Sequence, residues 1–134
     1  MRLAPGAVAL ALACALSACG ASARAEVQAK LQQFVHATAS GDYRTLCRDV
    51  LAQSLIDRLA STGNTCQHAM QIFLQSVQDP TLSVGKLTVQ GHNATALTLT
   101  TARGQRSTVA SVQLVETSNG WRVSSLGPSA GGSG

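Results

Sequence analysis

The chain has 134 residues, with ten Lys plus Arg against six acidic residues and a formal net charge of +4. That length suits one domain and excludes two of ordinary size. No block of like charges occurs, and Phe, Tyr and Trp make up only 3% of the chain, which argues against a basic arm or an aromatic base-stacking platform; no nucleic-acid partner is expected.

Residues 1–18 read as a targeting segment. Arg2 is the lone basic residue before an apolar run from Ala7 to Leu16. The run is shorter than the ~20 residues that span a bilayer, and it has no polar face for a surface helix. It closes on Leu16-Ser17-Ala18-Cys19, an aliphatic residue, two small residues and a cysteine. An ordinary signal peptide cut near Ala21-Ser22-Ala23 is the alternative, but it leaves the position of Cys19 to chance. The pattern resembles the lipobox of bacterial lipoprotein precursors. That resemblance implies a diacylglycerol on Cys19, and fatty acid such as palmitate beside it. Cys19 then becomes the first mature residue, and the protein is lipid-anchored and extracytoplasmic, at the cell membrane or in the cell envelope. Gly20–Ala25 reads as a short linker reaching at most ~20 Å.

Four cysteines occur. On this reading Cys14 leaves with the signal and Cys19 is blocked as a thioether. Cys47 and Cys66 remain, an even number in an oxidising compartment, and read as a disulfide worth roughly 3 kcal/mol. A zinc site built from Cys47, Cys66 and His68 has poor ligand spacing and no evident fourth ligand, so no metal or other cofactor is expected.

From Glu26 the pattern turns helical, with Val27, Leu31, Phe34, Val35 and Thr38 on one face. Gly41 suits a left-handed helix end and Asp42 a cap for the next helix. That second helix runs from Tyr43 to about Val50, burying Leu46, Cys47 and Val50, and continues after a kink through Leu51, Leu55, Ile56 and Leu59. Thr65 caps a third helix with Cys66, Met70, Phe73, Leu74 and Val77 on one face, and Asp79-Pro80 stops it. The period then changes to two. Leu82 and Val84 alternate, a bulge at Gly85 shifts the phase, and Leu87 and Val89 follow. Gly91-His92-Asn93 is a turn. Thr95, Leu97 and Leu99 form one face of the next strand. After a turn at Ala102–Gln105, a strand from Ser107 to Glu116 places Ala110, Val112 and Leu114 on one face. Ser118-Asn119-Gly120 signals a hairpin, Asn-Gly favouring a type I′ turn, and Trp121 and Val123 lead the last strand. Residues 26–127 make one domain, and the Gly/Ser-rich stretch 128–134 reads as a disordered tail.

The layout is α+β: three N-terminal helices packed on a curved four-stranded antiparallel sheet. Phe34-Val35, Ser40-Gly41-Asp42-Tyr43, the element order and Gly120-Trp121-Arg122-Val123 resemble the nuclear-transport-factor-2-like superfamily, shared with ketosteroid isomerases and polyketide cyclases. The resemblance implies a cone-shaped fold whose mouth holds the site. Secreted lipoproteins with this fold are also similar in their paired cysteines.

Enzymes of that superfamily use a carboxylate base with a Tyr or a protonated Asp as oxyanion partner. Asp42 and Tyr43 are the candidates here, but capping and packing already explain them. The strands carry only Glu116, so a strand-borne base is missing. Asp49 and Asp57 sit beside Arg48 and Arg58 as a solvated face. His36, His68 and His92 fit no metal spacing and read as surface residues. Thr and Ser make one sheet face polar and uncharged. Arg103, Arg106 and Arg122 read as a dispersed solvated set; the alternative is a cluster near one end of the sheet that meets anionic lipid or an acidic partner. The expectation is a non-catalytic, membrane-anchored envelope lipoprotein that binds a protein partner or a small apolar ligand. A homodimer through the sheet is a further possibility, and a cone-fold enzyme of isomerase or cyclase type is the alternative.

Overall fold

The computed structural model describes residues 15–128, and the side chains of residues 20–127. The expected targeting segment up to residue 14 and the expected tail from residue 129 lie outside the described residues. Helix α1 spans Ala15–Ser40, α2 spans Tyr43–Thr45, a π-helical turn covers Leu46–Val50, α3 spans Gln53–Ala60 and α4 spans Cys66–Leu74. Strands β1 (Thr81–Gln90), β2 (Asn93–Thr101), β3 (Thr108–Thr117) and β4 (Gly120–Pro128) form one antiparallel sheet in the order β1-β2-β3-β4. No helix among the described residues is long and apolar enough to cross a membrane.

Local chemistry sets the helix ends. Gly41 takes φ +66°, the left-handed conformation that costs glycine little. There the Gly41 N–H donates to the Thr38 carbonyl and the Asp42 N–H to the Ala37 carbonyl, so two end carbonyls of α1 are satisfied. Asp42 then caps α2, its carboxylate accepting from the Thr45 N–H at 3.1 Å and the Thr45 hydroxyl at 2.7 Å. Thr65 caps α4 by accepting from the His68 N–H. The expected kink is a full break. Leu51 is extended and bridges Val123 in parallel, while the Ala52 N–H donates to the Val123 carbonyl at 2.8 Å. The expected second helix is therefore three short pieces. The extended pair Leu51-Ala52, between the π-helical turn and α3, docks on the edge strand β4 and satisfies backbone groups there.

Two boundaries differ from expectation. Gly20–Ala25 is helical rather than a linker, because Ala21, Ala23, Arg24 and Ala25 are good helix formers and no proline interrupts them. Ala23 packs against the core and the Arg24 guanidinium donates to the Leu87 carbonyl at 2.8 Å, so the folded unit begins before Glu26. The last hairpin forms where expected, but its centre is Ser118-Asn119, neither with positive φ; Gly120, at φ +102°, follows and pairs with Thr117. A type I′ turn needs positive φ at both central residues, so this turn is not type I′.

The core joins the inner face of the sheet to α1. Val27, Leu31, Leu46, Val50, Leu114, Trp121 and Val123 are essentially inaccessible. The bulge expected at Gly85 is present as a register shift between Val84 and Lys86. On β2 the phase is opposite to expectation. Ala94, Ala96 and Thr98 point inward, while Leu97 and Leu99 are 41% and 43% exposed on the outer face. The inner space is already filled by Leu31, Leu87, Val112 and Leu114, so β2 contributes small side chains there. The outer face is consequently not uniformly polar: Leu97, Leu99 and Val109 interrupt its Thr and Ser residues. Phe73, expected in the core, is 64% exposed, and α4 buries Ala69 and Met70 instead.

Candidate functional site

Two openings lie side by side where the C-terminal end of α1 meets the segment after α4 and the loop between β2 and β3. The first is an apolar cavity of about 180 Å³. Phe34 and Val35 of α1, Leu74 and Val77 at the end of α4, and Pro80 and Leu82 at the start of β1 form its apolar wall. Phe34, Val35 and Thr38 belong to the helix face legible from the 3.6-residue period. Thr100 and Thr108, in register with Leu82 across the ladder, continue the wall into polar ground. Gln105 and Arg106 of the β2–β3 loop complete the rim, and Arg106 is the only charged residue of the lining.

The second opening is a wider polar groove lined by Tyr43, Gln78, Asp79 and Arg103. Asp79 and Arg103 form an ion pair, and the Arg103 N–H donates to the Gln78 carbonyl at 2.8 Å. The Gln105 amide donates to the Ser76 carbonyl at 3.3 Å. These contacts fix the loop carrying Arg106 to the segment after α4.

The candidate chemical residues do not converge. The Asp42 carboxylate faces its own helix. Thr45, through its hydroxyl and its N–H, holds that carboxyl below the usual carboxylate range. Tyr43 lines the polar groove rather than the apolar cavity. The Asp49 carboxylate pairs with Arg48 at 2.9 Å, which holds it below its ordinary range, and Asp57 accepts from the Gln53 amide. Glu116 meets His92 at 3.3 Å, joining the tips of the two hairpins. His36, His68 and His92 are exposed, and among the described residues no group of three or more His, Cys, Asp or Glu side chains could hold a metal. Cys47 and Cys66 lie at disulfide distance, with Cα atoms 6.0 Å apart, tying the π-helical turn to α4.

The three arginines are dispersed rather than clustered at one end of the sheet. Arg103 and Arg106 flank the mouth. Arg122 pairs in register with Val115, near the opposite end of the sheet. There it lies close enough to Lys30 to oppose its charge. Burial first, and Arg122 second, lower the Lys30 pKa against the pull of Asp49. The Lys30 ammonium donates to the Gln33 side chain at 2.7 Å and the Asp49 carbonyl at 2.9 Å. The sequence marks Arg106 only as one of three arginines of the sheet region; its place beside Phe34 and Leu74 at the cavity comes from the fold alone.

A long helix laid in a curled four-stranded meander, with an open apolar mouth at one end, is the nuclear-transport-factor-2-like fold. A solved nuclear-transport-factor-2-like protein of unknown function from Silicibacter pomeroyi DSS-3 superposes with TM-score 0.60 at 15% identity, over 80% of this chain and 94% of that one. A protein of Kribbella flavida superposes with TM-score 0.56 at 16% identity, over 81% and 90%. No family model and no curated protein matches the chain.

Proposed function

We propose that this chain is a lipid-anchored envelope lipoprotein that holds a small apolar ligand in the mouth of its cone and performs no chemistry on it. The observation that carries the binding reading is the cavity lining. Seven apolar side chains, Ala102 included, face a space of about 180 Å³, and no described carboxylate borders it. Small-molecule sites are of this kind, apolar walls with a few polar groups to orient the occupant. The alternative, a cone-fold isomerase or cyclase, needs a base at that mouth. Asp42 is committed to capping α2 instead.

Anchoring rests on Leu16-Ser17-Ala18-Cys19. Cys19→Ala should abolish metabolic labelling with a fatty acid and release the protein from membranes; unchanged membrane retention would defeat the anchor. For binding, toluene is titrated into the purified chain while the methyl resonances of Val35, Leu74, Val77 and Leu82 are followed. Saturable shifts confined to these methyls, and abolished by the cavity-filling Val35→Trp, are expected. Unshifted methyls at toluene saturation would refute the binding reading.

A further inference from the structure

The cavity is apolar inside and cationic at its rim, and its two nearest arginines are in different states. Arg103 is neutralised by Asp79. Arg106, exposed and bordering the cavity, has no ion-pair partner among the described residues. No acidic residue lines the apolar cavity, and Asp79, which lines the neighbouring groove, is already engaged. The loop that presents Arg106 is held on both sides. The Arg103 N–H is bonded to the Gln78 carbonyl before it, the Gln105 amide reaches the Ser76 carbonyl, and after it Thr108 enters β3. A free guanidinium on a fixed loop, at the lip of an apolar hole, is complementary to an anion attached to an apolar body.

We infer that the ligand of this cavity is a small amphiphilic carboxylate, its body seated among Phe34, Val35, Leu74, Val77 and Leu82 and its carboxylate on the Arg106 guanidinium. This deepens the binding reading above and rests on it. The volume limits the body. A cavity of about 150 Å³ lined by aliphatic and aromatic side chains holds one benzene ring, so about 180 Å³ takes a body of roughly six to eight carbons. A longer chain leaves its remaining methylenes in water and gains nothing from them. Affinity therefore rises about fourfold per methylene while the body fills the cavity, then levels off. Medium-chain and aryl-acetic acids fit this description; a diacyl lipid does not.

The test compares octanoate with octanol on the purified chain, read by the methyl shifts of Val35, Leu74 and Leu82, with butyrate, hexanoate and myristate as a length series. Octanoate should bind about tenfold more tightly than octanol, hexanoate more tightly than butyrate, and myristate no better than octanoate. Arg106→Gln should collapse the octanoate-to-octanol ratio toward one, and Arg106→Lys should restore most of it. An unperturbed methyl spectrum of each variant shows that the fold is intact. Octanol binding as tightly as octanoate would overturn the carboxylate while leaving the apolar site standing. Failure of both to shift these methyls would remove the site and the inference together. Steady gains from octanoate to myristate would overturn the size limit and point to a lipid chain as the occupant.

Discussion

The inverted phase of β2 gives the sharpest test of this architecture. Leu97 is 41% exposed on the outer face, and Ala96, its neighbour, is fully buried across the ladder from Leu87 and Val112. Leu97→Thr replaces a side chain already substantially wet with one that suits a strand, so the loss should stay below about 1 kcal/mol. Ala96→Leu forces three extra carbons into a filled core, and should cost about 1–3 kcal/mol or more. Were the phase reversed, Leu97 would be core, and its truncation would cost about 2–5 kcal/mol. Urea unfolding with the disulfide intact resolves the two cases. The chain's single tryptophan, Trp121, is 2% exposed and reports on this core directly. A Leu97→Thr protein weakened by more than about 2 kcal/mol, beside an Ala96→Leu protein within about 0.5 kcal/mol of the parent, would refute the inner-face assignment.

Cys47 and Cys66 are 19 residues apart, and closing a loop of that size stabilises the fold by roughly 3 kcal/mol. The Cys47→Ser, Cys66→Ser protein should lose about that much in the same urea titration; a thiol assay of the unreduced, unfolded chain that finds both sulfurs free would contradict the bridge. Asp42 gives a pH signature. Its carboxyl is held low in the fold by Thr45, so the stability it confers is present above the unfolded value of about 4 and is lost as pH falls through the lower folded value. Asp42→Ala should lower Tm at neutral pH. Asp42→Asn, which keeps a capping oxygen but does not titrate, should flatten the acid side of the Tm profile, and an unchanged profile would argue against the cap.

Features decided within a few residues were legible from sequence. Asp42 and Thr65 announce caps by their chemistry, and Gly41 and Gly85 mark a helix end and a bulge. The face of α1 from Val27 to Thr38 was also plain, and it contains three of the cavity residues. Features decided by competition for space were not legible. On β2 the local alternation favours Leu97 and Leu99 as core, but the volume inside belongs to residues from α1, β1 and β3. The site failed to appear for a related reason. Its wall draws on α1, the end of α4 and two hairpins, and Arg106 has no motif around it. Asp42 and Tyr43, adjacent in sequence, face different surroundings because one ends a turn and the other begins a helix.

The continuity of α1 also sets a distance and a direction. At 1.5 Å per residue, Cys19 and Val35 lie about 24 Å apart along one rod. Ser22 and Ala23, at the Cys19 end, share a groove with Glu116, Thr117 and Gly120 of the β3–β4 hairpin, whereas Val35 and Thr38 border the cavity. A tether of coil would let the domain tumble over a lipid surface. A tether of helix acts as a mast: a lipid on Cys19 would stand the mouth off from the bilayer and aim it at the aqueous space. The cavity would then be loaded and emptied from solution, and a molecule dissolved in the same bilayer would have to leave it first.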